Sequence, residues 1–107
     1  MYLDNIGEII ALRELYIGTE KEPEKKIQIL IGKPQPFPDS SGYYCPFQIL
    51  GVGPEKIKYA AGIDAIQSLQ LVMVMLGATL QFLDESLNRT LRWEGSSEGD
   101  FGFPTSV

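Results

Sequence analysis

The chain reads as an α+β domain: a three- or four-stranded, mainly antiparallel sheet packed on one long helix. Two observations carry this. In the first half, three segments rich in Ile, Leu, Tyr and Phe have the two-residue alternation of strands and are separated by loops marked by Gly, Pro and charge. In the second half, apolar residues from Ile66 to Leu87 recur at spacings of three and four, the repeat of one helix face. A length of 107 residues fits a single domain over 1–107 and can bury a working core without metals or disulfides.

The elements follow in order. Residues 8–17 are strand-like, with Ile9, Ala11, Leu15 and Ile17 on one side and Ile10, Leu12 and Tyr16 on the other, so both faces are expected to be partly covered. The charged run 20–26 reads as a solvated hairpin connection. A second strand spans 27–32, where Ile27, Ile29 and Ile31 share a face. Pro34, Pro36 and Pro38 then remove donors at alternate positions, which predicts an extended connector. A third strand covers 44–52 with Cys45, Phe47 and Ile49 on one face, and Pro46 suggests a strand end or edge. Gly51-Val52-Gly53 is no dinucleotide fingerprint, because Lys56 occupies the place of the third glycine.

The helix is expected over 64–86. Asp64 and Gln67 have capping-box spacing: the carboxylate accepts an otherwise unpaired amide and the glutamine reaches back. Ile66, Leu69, Met73, Leu76, Leu80, Leu83 and Leu87 form its seam. A short strand over 90–94 follows, then a tail over 95–107 that is rich in Gly and Ser and carries Phe101 and Phe103.

Composition excludes several functions. The net charge of −5, with scattered cations, would repel phosphates, so no nucleic-acid partner is expected. Polar residues break the apolar stretch 65–83 too often for a comfortable membrane span, and the first residues lack a basic leader. With the lone Cys45, this predicts a cytoplasmic protein. The absence of histidine removes the commonest general base and metal ligand, and Cys45 has no imidazole to activate it. Asp84 and Glu85 are adjacent on the helix, so their side chains diverge. No catalytic residue, metal site or cofactor is expected.

Projected at about 100° per residue, Leu71, Met75 and Phe82 fall outside the seam as a second apolar stripe. One sheet cannot cover both stripes, and a second copy of the chain, the aromatic tail or the Pro-rich loop must cover the other. The remaining face carries Gln70, Val74 and Gly77 and no charge, and Gly77 would allow another backbone close approach. Leu71, Met75, Phe82, Gln70, Val74 and Gly77 are therefore the candidate interface of a homodimer. The favoured function is a non-catalytic interaction module, as in a small accessory, adaptor or immunity-like protein. The alternative is a small-molecule binder or minor enzyme with a pocket between the Pro-rich loop, Cys45 and the helix start.

Cys45-Pro46-Phe47-Gln48-Ile49-Leu50-Gly51, then Gly62-Ile63-Asp64-Ala65-Ile66-Gln67-Ser68-Leu69, and later Leu91-Arg92-Trp93, are similar to the pattern of a bacterial domain family of unknown function. In that pattern a Cys-containing strand precedes a Gly-x-Asp-x-x-Gln-x-Leu helix start and a Leu-x-Trp. The resemblance implies a small bacterial cytoplasmic protein and no activity or site.

Overall fold

A computed structural model describes residues 1–18, 23–94, 96 and 99–106, with Pro23 and Glu24 described in the backbone alone. In chain order the elements are β1 (Ile9–Gly18), β2 (Pro23–Gly32), β3 (Gln35–Pro36), β4 (Tyr43–Leu50), β5 (Lys58–Gly62), α1 (Ala65–Ser86) and β6 (Leu91–Arg92). The class is α+β as expected, but the strands number six in one antiparallel sheet.

Two strands were not anticipated. Pro36 pairs with Tyr43 and Gln35 with Tyr44, so the proline connector contributes a short strand. Proline is tolerated where the ladder is only two residues long. The other is β5, whose Lys-Tyr-Ala-Ala-Gly lacks the β-branched residues that mark strands. The charged run 20–26 is partly strand, because β2 already begins at Pro23; its residues 20–22 lie outside the described part. Pro46 is internal to β4 and pairs with Tyr59. It is accommodated because β2 pairs with β4 only from Phe47 onward and β3 only at Tyr43 and Tyr44, leaving Pro46 between two ladders.

The strands lie in the order β5-β4-β2-β1-β6, with β3 continuing the β2 side of β4. The helix packs over β5 and β4. Ile27, Ile29 and Ile31 join Leu15, Cys45, Phe47 and Ala60 in the core, capped by Val72, Leu76 and Leu80. Burying each Val, Leu, Ile or Phe side chain among these contributes about 1.5–3 kcal/mol. The line of the helix that is buried is Ser68, Val72, Leu76, Leu80 and Asp84. Leu76 and Leu80 of the expected seam are fully buried and Leu69, Met73 and Leu83 pack partly on the core, while Ser68 and Asp84 join the buried line and Ile66, which projects away from Ser68, is 69% exposed.

The second face of β1 is also less covered than expected. Ile9 and Ile10 are exposed and Leu12 is 53% exposed. The N-terminal segment lies over the Gly32–Pro46 part of the outer face, where a Cβ on Gly32 would come within 2.6 Å of the Ile6 carbonyl, and its first residues reach Tyr44 and Tyr59. Where β1 approaches Gly32, a register shift between Ile9 and Ala11 leaves Ile10 as an extra residue.

By length and composition the helix would suffice to cross a membrane, with a mean hydropathy of 1.5. The polar residues in 65–83 are Gln67, Ser68, Gln70, Thr79 and Gln81, and the Leu, Val, Met, Ile and Ala residues between them keep the mean high. In the fold one line of it packs on the sheet, with 22% of the span buried.

Candidate functional site

Asp64 caps the helix from extended backbone, its Oδ1 accepting the Gln67 amide at 2.8 Å. The Gln67 Oε1 accepts the Ile63 amide at 2.8 Å, one residue before the cap, where the expected return bond was to the cap itself. Both polar groups are thereby engaged in starting the helix. At the same end, a Cβ on Gly62 would stand 2.5 Å from the Ser68 amide nitrogen, so β5 and the helix meet backbone to backbone.

The expected pocket between the Pro-rich loop, Cys45 and the helix start would need Cys45 accessible, and it is not. Cys45 is completely buried, and its thiol donates to the Gly32 carbonyl at 3.4 Å. Desolvation by burial raises its pKa from 9.0 to about 11. On the outer face, Phe37 of the Pro-rich loop packs ring to ring with Tyr44 and Tyr59, with centroids 5.3 and 6.2 Å away.

The C-terminal segment folds back along the helix on the glutamine-and-glycine side. A Cβ on Gly77 would lie 2.9 Å from the Pro104 carbonyl oxygen and 3.3 Å from the Phe103 Cβ. Gln81 donates to the Gly99 carbonyl. Phe101 is buried in the core, beside the strands the helix leaves uncovered. Arg13 fixes this arrangement: its guanidinium lies 4.1 Å from the Trp93 ring centroid and 4.8 Å from that of Phe103, and donates to the Phe101 carbonyl at 2.8 Å. The close backbone approach at Gly77 is thus made by the chain's own tail, with Val74 lining the same contact. Sequence reasoning passed over Arg13; an arginine on the core side of β1, at the position of an alternating apolar residue, was the available signal.

The tail covers one side of the helix and leaves the stripe on the other. Leu71 packs partly against the core, Met75 is 39% exposed and Phe82 is 74% exposed. These residues project from the helix on the side away from Gly77, the side of β5. The ladder of β5 is to β4, and among the described residues its other edge has no strand partner. Met75 shares a surface cleft with Lys58 and Tyr59 of β5 and with residues 1–4, and Phe82 borders a second cavity beside Lys58. Among the described residues no three His, Cys, Asp or Glu side chains gather as a metal site would need.

A cavity of about 160 Å³ lies between the helix and the loop after β4, lined by Phe47, Ile49, Val52, Leu83, Lys56 and Lys58 among others. Its loop is pinned by Glu55, whose Oε2 accepts the Gly51 amide and whose carbonyl accepts Gln48 Nε2, both at 2.8 Å.

Among curated proteins and among solved structures, no match to the chain was found. A family model does match, over residues 11–105, which takes in nearly every element of the fold. The chain belongs to the family described as domain of unknown function (DUF6968).

Proposed function

We propose that this chain is a non-catalytic interaction module that works as a homodimer, as a small accessory, adaptor or immunity-like protein of a bacterial cytoplasm would. The observation that carries the reading is the position of Met75 and Phe82, exposed beside the unpaired edge of β5. An open edge presents a row of backbone donors and acceptors, and an apolar stripe next to it adds the area that holds a partner.

A two-fold axis through Ala60, perpendicular to the sheet, sets β5 antiparallel to its own copy. Tyr59 then faces Ala61 of the other chain, Lys58 faces Gly62, and no like charges meet. Such an isologous contact buries one surface twice and closes. The two helices lie on the same side of the joined sheet, with their Leu71–Met75–Phe82 stripes facing each other. The edge of β1 also carries exposed apolar residues, but the extra residue at Ile10 breaks its register, a device that blunts edges. Gln70 projects on the same side of the helix as Val74 and Gly77, away from the stripe, and Val74 and Gly77 belong to the contact with the tail.

The test is the mass in solution across a concentration range. The reading expects twice the 11.9 kDa chain, falling to one chain in Met75→Glu with unchanged circular dichroism. A wild-type chain that stays monomeric at every concentration would overturn it.

A further inference from the structure

We propose that the cavity beneath the loop after β4 binds a small apolar monocarboxylate, with an aromatic or branched aliphatic body about the size of one ring. Three observations lead there, and none is drawn from self-association, although Phe82 and Lys58 belong both to the cavity lining and to the proposed dimer face. The cavity, about 160 Å³, is floored by Phe47, Ile49, Val52 and Leu83. An apolar cavity near 150 Å³ in another protein stays dry and takes up benzene, so a single ring sets the size of the body.

The second observation is charge. Lys56 and Lys58 line the cavity and are exposed to solvent. Neither forms an ion pair among the described residues, in a chain whose net charge is −5. Glu55 is the one acidic residue in the lining, and its carboxylate is held by the Gly51 amide. Two lysines against one glutamate leave a net charge of +1 beside an apolar floor. A carboxylate joined to an apolar body satisfies both parts, whereas a neutral hydrocarbon leaves the lysines unused and a bare anion leaves the floor empty.

The third is preorganisation. Glu55 is held at φ +57, a conformation that a residue other than glycine rarely adopts, by the bonds from Gly51 and Gln48. Gly51 and Gly53 in the same loop also have positive φ, at +101 and +68. The loop is therefore shaped before any ligand arrives, which lowers the ordering cost of binding.

The experiment is a titration of the full chain, followed by the methyl resonances of Ile49, Val52 and Leu83, with sodium benzoate, benzyl alcohol and sodium acetate. Benzoate is expected to shift these methyls saturably in the millimolar range. Benzyl alcohol should bind about tenfold more weakly, and acetate should leave the methyls unmoved. Replacing both lysines (Lys56→Gln, Lys58→Gln) at exposed positions leaves the fold intact and should weaken benzoate about tenfold. Met75 shares a cleft with Lys56 and Lys58, so the titration is run on the wild-type chain with its mass in solution measured in parallel, and a monomer that binds benzoate would leave this result standing while the dimer fails. No saturable shift with benzoate overturns the proposal. So does equal binding of benzoate by wild type and the double lysine variant, which would make the site indifferent to charge.

Discussion

Gly77 and Pro104 meet so closely that a Cβ on the glycine would lie 2.9 Å from the proline carbonyl oxygen. A helix residue and the tail thus share a contact that only a bare backbone permits, and the tail is committed to that side. In a free helix, Gly→Ala stabilises by roughly 0.5–1 kcal/mol. Here the added methyl must push back a carbonyl whose neighbour Phe103 is stacked under Arg13. Gly77→Ala is therefore expected to be destabilising, by about 1 kcal/mol, despite its better helix propensity. Urea denaturation measures this. A variant stabilised by the full propensity gain would mean the tail does not seat on this face.

Asp84 ties the end of the helix to β6. The residue is completely buried, and its Oδ1 accepts the Leu91 amide at 3.1 Å. Its Oδ2 has no hydrogen bond, and the Arg89 guanidinium stands 4.0 Å away, at the limit of an ion pair. Neither Gly nor Pro stops the helix; Asn88 and Arg89 turn it with φ of +56 and +63. Asp84→Ala orphans the Leu91 amide and should cost about 1–3 kcal/mol. Asp84→Asn keeps an acceptor and should cost less. Equal melting temperatures for wild type and the alanine variant would show that this bond holds nothing.

At the other end of the helix, Asp64→Ala removes the acceptor for the Gln67 amide, and a loss of about 1 kcal/mol is expected from urea denaturation. A variant with full stability but a lost binding function would assign the carboxylate to a ligand.

The Cys45 thiol is raised to about 11 by desolvation, so its folded pKa lies above the ordinary 9.0. A thiol raised in this way stabilises the fold fully below the unfolded pKa, and that contribution is lost as pH rises from about 9 through 11. The full effect is on the order of 2–3 kcal/mol. Other groups titrate in that range, so the measurement is the difference between wild type and Cys45→Ala, which should narrow across this window. In the native protein at neutral pH, a thiol reagent should react slowly and denaturant should release the reaction. A gap that stays constant from pH 8 to pH 11 would contradict a buried thiol.

The helix was legible because its period, cap spacing and length all agree over Asp64–Ser86. So were β1, β2 and β4, where Ile, Leu, Tyr and Phe alternate. Those signals are local. The strand β5 was not legible, because Tyr59, Ala60 and Ala61 become a strand only through their ladder with Pro46, Cys45 and Tyr44, a pairing that no local propensity announces. The choice of buried line along the helix was likewise decided by tertiary contacts, which bury Ser68 and Asp84 and leave Ile66 outside. In the candidate interface, Met75 and Phe82 could be read from helical projection. Their neighbour, the open edge of β5, could not, and Gly77 was rightly read as a point of backbone approach while the approaching backbone was unknown. Lys56 and Lys58 gave no signal because they gather at the cavity only through the turn after β4.

The homodimer is tested most directly by intermolecular nuclear Overhauser effects in a sample mixing isotopically labelled and unlabelled chains. Two-fold pairing about Ala60 places the Tyr59 and Ala61 α-protons of different chains within a few ångströms, and brings Met75 methyls against Phe82 rings. Cross-peaks between those pairs are the expected result, disappearing in Met75→Glu. Cross-peaks confined to Ile9, Ile10 and Leu12 would move the interface to the edge of β1, and a spectrum with no interchain peaks at any concentration would contradict the homodimer outright.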